Sequence, residues 1–468
     1  MVGIMSYGVY VPLFRMGEGT KGWGLPFERT VANFDEDSIT MAVGAAIDCM
    51  SDTNRDEIDA LYFATTTPPY LEKQSATIVA VAADLRNELF AVDCTDTLRA
   101  GTNALKLAID AVNAGSARKA LVTVADSPVF VPRSALEQNG ADGGAALLLG
   151  DKEVVAVIQD SYSVVREIFD VWRPEGERVA LSWEDRFCAE KGFVEVLRDT
   201  VLGLLKKTKL SLSDFSKVVY PAPDVRRHRE VAKALGLKPD QVQDPLFGSL
   251  GNTHAAFALM LLVEALEEAR AGDRILLANY GDGGDAFILE VTEHINKIRR
   301  KRGIKRYLDT KKIVPDYEMF LQWKGFYHSD TGVRRPPIAS PSAPALFRER
   351  DKNLRFYGGK CRSCQTTQYP PQIVCTKCGS KDNFENVRLS DKKATLFTYS
   401  LDYIAGTVDI PLVVSVINFD GGGRALLTMT DRDIREIKIG MPLRMSFRKL
   451  YSASGIHNYF WKCVPIRM

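Results

Sequence analysis

Two pairs of cysteines carry the most specific chemistry in this chain. Cys361-Arg-Ser-Cys364 and Cys375-Thr-Lys-Cys378 are CxxC pairs with ten residues between them, a spacing that lets four thiolates surround one ion as a tetrahedron. All-sulfur ligation leaves no open position for water or substrate, so the expected ion is structural Zn²⁺. A redox dithiol or an iron–sulfur centre would use the same residue type, but paired CxxC in a short β-rich segment points to a zinc ribbon. A fifth cysteine has a different setting. Cys94 follows the apolar run Leu89-Phe-Ala-Val-Asp and precedes Leu98-Arg-Ala-Gly-Thr-Asn-Ala-Leu, which reads as a helix. A thiol at a helix start faces unpaired N–H groups and the positive end of the helix dipole, which favours the thiolate and makes Cys94 a nucleophile candidate. The alternative for any such residue is a packed core cysteine, the expectation for Cys49 and Cys188.

The elements that must position these residues fall into two regimes. With 468 residues, the chain exceeds one ordinary core, since single domains stop growing near about 250–300 residues. Its first part alternates helix-period stretches with short apolar runs, the pattern of α/β layers. Strands are expected at 60–64, 89–92, 120–124, 145–149, 217–220, 275–278 and 286–291, and helices at 38–50 and 224–235. Asn103–Gly115 followed by 120–124 and Met260–Gly272 followed by 275–278 read alike, each a long helix ended by Ala-Gly that feeds a strand; helix–Gly–strand is common, so this is a weak sign of duplication. A basic run, NKIRRKRGIKRY, then breaks the apolar period and reads as a solvated linker or docking face. Pro336–Pro344 reads as extended chain, and five short strands between 394 and 465 read as a small β-barrel.

Composition excludes several classes. A charge of +2 from 61 Lys+Arg against 59 Asp+Glu argues against a polyanion-coating surface and so against nucleic-acid binding. The barrel aromatics Phe397, Tyr399, Phe447, Tyr459 and Phe460 are expected in its core. Absence of an apolar run of about 18 residues or a basic-apolar leader leads to the expectation of a cytoplasmic protein with no membrane association.

Taken in order, Gly3–Pro12, the Cys94 turn, Ala135–Ala145, Phe169-Asp-Val-Trp-Arg-Pro-Glu-Gly176, Gly251-Asn-Thr253 and Gly281-Asp-Gly-Gly-Asp-Ala-Phe287 resemble the thiolase superfamily. The resemblance is strongest to its hydroxymethylglutaryl-CoA synthase branch and to the related third-class ketoacyl carrier-protein synthases. The C-terminal part resembles the zinc-ribbon plus OB-fold proteins that accompany thiolase-like enzymes. This implies a duplicated five-layer αβαβα domain, with halves over 1–155 and 156–310. A linker over 311–350, a rubredoxin-type zinc ribbon over 351–388 and an OB-fold barrel over 389–468 complete the expected domains.

The resemblance further implies an acyltransferase that condenses acyl-CoA thioesters through an acyl-Cys94 intermediate. Asn252 would be an oxyanion and orienting donor, and Gly281, Gly283 and Gly284 the loop that brings backbone N–H toward the nucleophile. Two positions depart from the family: Pro221 stands where its histidine belongs, and Thr66 where the synthases' acid/base glutamate belongs. Neither proline nor threonine exchanges a proton near neutral pH. His254 is the neighbouring imidazole that could take over, with a cap or core histidine as its alternative; Asp282 and Asp285 are further titratable candidates. The other functions compatible with these residues are a retro-Claisen or aldol lyase on an acyl-CoA, and an acyl-CoA-binding scaffold with impaired catalysis beside a partner thiolase. A homodimer through the α/β part is expected.

Overall fold

The computed structural model describes residues 1–298, 303–327 and 340–466. It divides into two compact units, Met1–Ala32 with Asp37–Ala80 and Leu85–Phe320, and Asn33–Glu36 with Val81–Asp84 and Leu321–Met468.

The first unit is built on strands β1 (Gly3–Tyr10), β2 (Ala60–Ala64), β3 (Phe90–Cys94), β4 (Ala120–Asp126), β5 (Gly143–Gly150), β6 (Ala156–Val165), β7 (Lys217–Val219), β8 (Arg274–Tyr280) and β9 (Gly283–Val291). They form one sheet in the order β7-β8-β9-β6-β1-β5-β4-β2-β3, and that order is a repeat. From its edge the first half runs β3-β2-β4-β5-β1, with β2 parallel to β3 and β4, and β5 antiparallel to β4 and β1. From the other edge the second half runs β7-β8-β9-β6 with the matching directions. Its counterpart of β3 is reduced to one parallel bridge between Val218 and Val242. In the sheet the two halves pair through β1 and β6, at Gly3–Val157 and Ile4–Ala156.

Helices repeat too. α1 (Ser38–Cys49), α2 (Ala76–Ala82) and α3 (Ala100–Asn113) of the first half correspond to α4 (Glu195–Thr208), α5 (Val225–Leu235) and α6 (Phe257–Glu268) of the second. α1 starts where a capping box forms between Asp37 and Thr40, and Asp224 caps α5 through the Arg227 N–H at 2.8 Å. On β8, Ile275 and Leu277 join the central core with α3 and α6, while Leu276 and Ala278 join the core under α4. That alternation, period two across the sheet, makes α3 and α6 the middle of five layers. α6 is buried all round from Phe257 to Leu266, as a helix covered on both sides by the two halves of the sheet must be.

In the second unit, β10 (Tyr357–Cys361), β11 (Thr367–Gln368) and β12 (Phe384–Arg388) form the ribbon. β13 (Ala394–Asp402), β14 (Leu412–Phe419), β15 (Arg424–Met429), β16 (Pro442–Ala453) and β17 (Ile456–Pro465) close into a barrel in the order β13-β14-β15-β17-β16. Phe447 and Tyr459 are buried in it, but Phe397 is outside the expected core: it is exposed, with the Arg424 guanidinium 3.8 Å from its ring centre. The expected linker over 311–350 also differs from extended chain. Lys312–Ile313 pair with Phe14–Arg15, Tyr317–Trp323 and Ala343–Arg348 are helical, and Tyr317 and Phe320 are buried. Within the basic run, 299–302 lie outside the described residues, as do 336–339 of the expected extended stretch. His228 is buried and stacked on Tyr220 at 4.4 Å, and burial lowers its pKa to about 4. No helix among the described residues is long and apolar enough to cross a membrane.

Candidate active site

Asp126, the last residue of β4, is fully buried and organises the site. Its carboxylate accepts the N–H groups of Thr66 (2.7 Å), Thr67 (3.1 Å) and Ala255 (2.9 Å), and the hydroxyls of Thr65 (2.8 Å), Thr66 (2.9 Å) and Thr67 (3.0 Å). A buried carboxylate is tolerable only when its lone pairs are met in this way. It ties the loop after β2 to the turn His254–Ala256 that leads into α6. His254 is thereby held with φ +54°, and its Nδ1 lies 3.5 Å from the Thr66 hydroxyl. Its N–H donates to Asn252 Oδ1 at 2.9 Å, and Phe130 packs on its ring at 5.1 Å. Asn252 Nδ2 donates to the Ala222 carbonyl at 3.1 Å, so this side chain fixes the Pro221–Ala222 bend to the histidine turn.

His254 faces a cavity of ≈ 350 Å³ whose walls include Thr66, Leu98, Asp170, Trp172, Tyr280 and Gly281. Asp170 is the acid that the sequence reading passed over. Burial pushes its carboxyl above the ordinary range; nearby Tyr280 opposes this, while the charges of Asp185 and Asp282 add to it. A carboxyl and an imidazole on one cavity are the residue types that general acid–base chemistry uses. At the mouth, Arg173 donates to the Thr66 carbonyl at 3.0 Å, and Arg178 is also in the wall. A second pocket of ≈ 90 Å³ has an apolar side of Leu98, Leu136, Phe193 and Pro221 and a polar side that includes Asp170, Asp185, Asn252 and Asn279. Pro221 and Thr66 therefore do lie beside His254.

Cys94 does not line either of these cavities. It ends β3 beside Ala64, but α3 begins only at Ala100, so five residues separate the thiol from the helix start whose dipole was expected to act on it. Its side chain packs against the central core instead. Burial and the charge of Asp93 push the thiol up to about 11, the opposite of an activated thiolate. Asp93 itself accepts the N–H groups of Ser75 and Ala76 at the start of α2 (2.6 and 2.7 Å). Leu98 occupies the cavity wall next to the α3 start.

The glycine loop is also divided. Gly281 lines the cavity, and a Cβ there would stand 2.8 Å from the Arg99 nitrogen and 3.1 Å from the Leu98 Cβ. Gly283 and Gly284 belong to β9 and do not reach the cavity: added Cβ atoms would strike the Val164 carbonyl and the Thr200 hydroxyl. Asp285 is an anchor, accepting from Arg99 (3.2 Å), Thr102 (2.8 Å) and Ser163 (2.7 Å), and thereby holds β9 to the α3 start.

Away from this cavity, Cys361, Cys364, Cys375 and Cys378 converge with all sulfurs within 4.8 Å of one another, including contacts of 3.7 Å (Cys361–Cys378) and 3.5 Å (Cys364–Cys375). Zn–S bonds of about 2.3 Å in a regular tetrahedron give S···S edges of about 3.8 Å, so the four residues fit the ion.

Comparison with known proteins matches three stretches of the chain to families. The family described as 3-oxoacyl-[acyl-carrier-protein] synthase III C terminal matches residues 205–289. The ChsH2 rubredoxin-like zinc ribbon domain matches 348–385, and the ChsH2 C-terminal OB-fold domain 386–448. The hydroxymethylglutaryl-CoA synthase of Thermococcus sibiricus is 36% identical over 341 residues, covering 70% of this chain and 97% of that protein. That of Methanopyrus kandleri is 34% identical over 331 residues, covering 67% and 94%. Among solved structures, an HMG-CoA synthase complexed with CoA superposes with a TM-score of 0.60 at 18% identity over 69% of this chain and 89% of that one. The 3-oxoacyl-[acyl-carrier-protein] synthase III of Aquifex aeolicus gives 0.53 at 22% identity over 62% and 100%.

Proposed function

The chain belongs to the hydroxymethylglutaryl-CoA synthase family, and from that premise we propose that it makes or breaks a carbon–carbon bond beside a CoA thioester by an aldol route, without an acyl-cysteine. The observation that carries this reading is the cavity wall at the start of α3: Leu98 stands there, while Cys94 packs into the core with its thiol protonated. Acyl transfer needs a nucleophile at the thioester carbon. An aldol step does not. A base takes a proton from the carbon next to the thioester carbonyl, and the resulting enolate attacks a second carbonyl carbon. That carbonyl oxygen then takes a proton from an acid, and the reverse sequence is cleavage. His254 and Asp170 fill the base and acid roles, Asp126 and Asn252 hold the histidine turn, and Arg173 and Arg178 meet the CoA phosphates at the mouth.

The test is isotope exchange. With an acyl-CoA alone in D₂O, the protein should place deuterium on the α-carbon, read by mass spectrometry of the recovered thioester, and His254→Gln should suppress it. Exchange no faster than in buffer would leave a binding scaffold instead of an enzyme.

We further propose one structural Zn²⁺ per chain at the four cysteines, which holds a segment too small for its own core; elemental analysis of the folded protein checks it. A homodimer through the α/β unit is the proposed assembly, read by sizing at micromolar concentration.

A further inference from the structure

We infer that Leu98 sets the size of the acyl group this site accepts, an inference that rests on the reading that the cavity takes a CoA thioester. Two cavities meet at this residue. The ≈ 350 Å³ cavity has the exposed Arg173 and Arg178 in its wall, and the ≈ 90 Å³ pocket has Leu136, Phe193 and Pro221 in its wall. Leu98, Asp170, Val171, His254 and Tyr280 line both. A thioester whose carbonyl lies between His254 and Asp170, with its pantetheine toward the arginines, sends its acyl end against the apolar side of the smaller pocket, formed by Leu98, Leu136 and Phe193.

That pocket is small. Since a cavity of about 150 Å³ holds a benzene ring, ≈ 90 Å³ holds about three or four carbons. Leu98 cannot easily withdraw to enlarge it. Its carbonyl accepts from Asn279 Nδ2 at 3.5 Å, and Gly281 lies so close that an added Cβ would stand 3.1 Å from the Leu98 Cβ. The opposite wall contains Pro221, whose ring fixes φ, next to the Ala222 carbonyl that Asn252 holds. Each methylene that fits the pocket strengthens binding about fourfold, and the first that does not fit must displace a side chain in a packed wall.

The experiment is calorimetric titration of the full chain with CoA and with acetyl-, propionyl-, butyryl- and hexanoyl-CoA, for wild type, Leu98→Ala and Leu136→Ala. Wild-type affinity should rise about fourfold per methylene to butyryl and fall about tenfold or more at hexanoyl. Leu98→Ala should move the optimum to hexanoyl. Leu136→Ala opens the same pocket from the other side and should do likewise, whether or not the first variant folds. Wild-type hexanoyl-CoA binding as tight as butyryl-CoA, or folded variants that keep the wild-type optimum, would overturn the inference. If CoA and all thioesters fail to bind, the reading of the cavity falls with it; if they bind without regard to length, only the role of Leu98 does.

Discussion

The two halves of the α/β unit repeat one strand order yet begin their central helices with different chemistry. In the first half, β3 is a five-residue strand, and the chain then enters α3 through Leu98 and Arg99; in the second, the matching strand is a bridge at Val242, and α6 is entered through His254. Each half holds the other's helix start through its fourth strand. Asp126 of β4 accepts from Ala255, and Asn279 of β8 donates to the Leu98 carbonyl and Thr102 hydroxyl at 3.5 and 3.3 Å. The starts themselves touch: a Cβ on Gly101 would stand 2.7 Å from the Ala255 carbonyl. One half thus supplies an ionisable ring and the other an apolar wall, so the duplicated scaffold fixes where the two helix starts meet while the residue placed on each decides the chemistry. The same inversion runs along the helices. Pairing Asn103 with Met260 sets Leu107, 47% exposed, against Glu264, 1% exposed.

The largest way to break this comparison is Asp126→Ala. It leaves six hydrogen-bond contacts without their acceptor, and since an unmet buried donor costs about 1–3 kcal/mol, a loss above about 3 kcal/mol is expected in denaturant unfolding. At the first-half start Asn279 supplies two long contacts and Asp285 shares the support, so Asn279→Ala should cost less.

Next in size is His254→Gln, which keeps polarity but removes the proton-transfer group. Turnover and α-proton exchange should fall about 10²- to 10⁴-fold with an unchanged melting temperature. Equal activity in this variant would make the histidine a packing residue.

Gly281→Ala acts on the other helix start. Its Cβ meets backbone at Arg99, which cannot move aside, and a destabilisation of about 1–3 kcal/mol in urea is expected.

Smallest is Glu264→Gln, which sharpens the contrast between α3 and α6. Burial pushes the Glu264 carboxyl up to about 7, with the charges of Asp244 and Glu268 adding and Gln243 opposing. Between about 4.5 and 7 the unfolded carboxyl is ionised while the folded one keeps its proton, so its contribution to stability is present at low pH and lost as pH rises through 7. The variant should therefore be more stable than the wild type at pH 8 and nearly equal to it at pH 4, read by thermal unfolding at both.

Much of the scaffold was legible because its signals are local. Apolar runs such as Ala60–Ala64 and Ile275–Ala278 read as buried strands, and the paired helix–Gly–strand segments proved to be α3–β4 and α6–β8 of the repeat. β6 was missed because Gln159, Asp160, Ser161 and Ser163 dilute its alternation. The zinc cluster was legible because all its ligands lie within 18 residues of chain, in a spacing that only ligation explains.

The cavity was not, because it is assembled from elements distant in sequence. Asp126 lay two residues past an expected strand, and Asp170 lay inside a motif recognised for another reason; a charged residue just beyond a buried strand was the available signal for the first. Leu98 had none, since an apolar residue at a helix start looks like packing. Cys94 drew attention by residue type, but the distance from strand end to helix start, which decides its role, needs coordinates.

The central claim is that this site works on thioesters without a covalent acyl-enzyme, and intact-mass measurement after incubation with acyl-CoA thioesters tests it most directly. The expected spectrum is that of the unmodified chain under conditions where α-proton exchange is observed. An acyl adduct that maps to Cys94 and disappears in Cys94→Ala would contradict the account and restore the acyl-cysteine route.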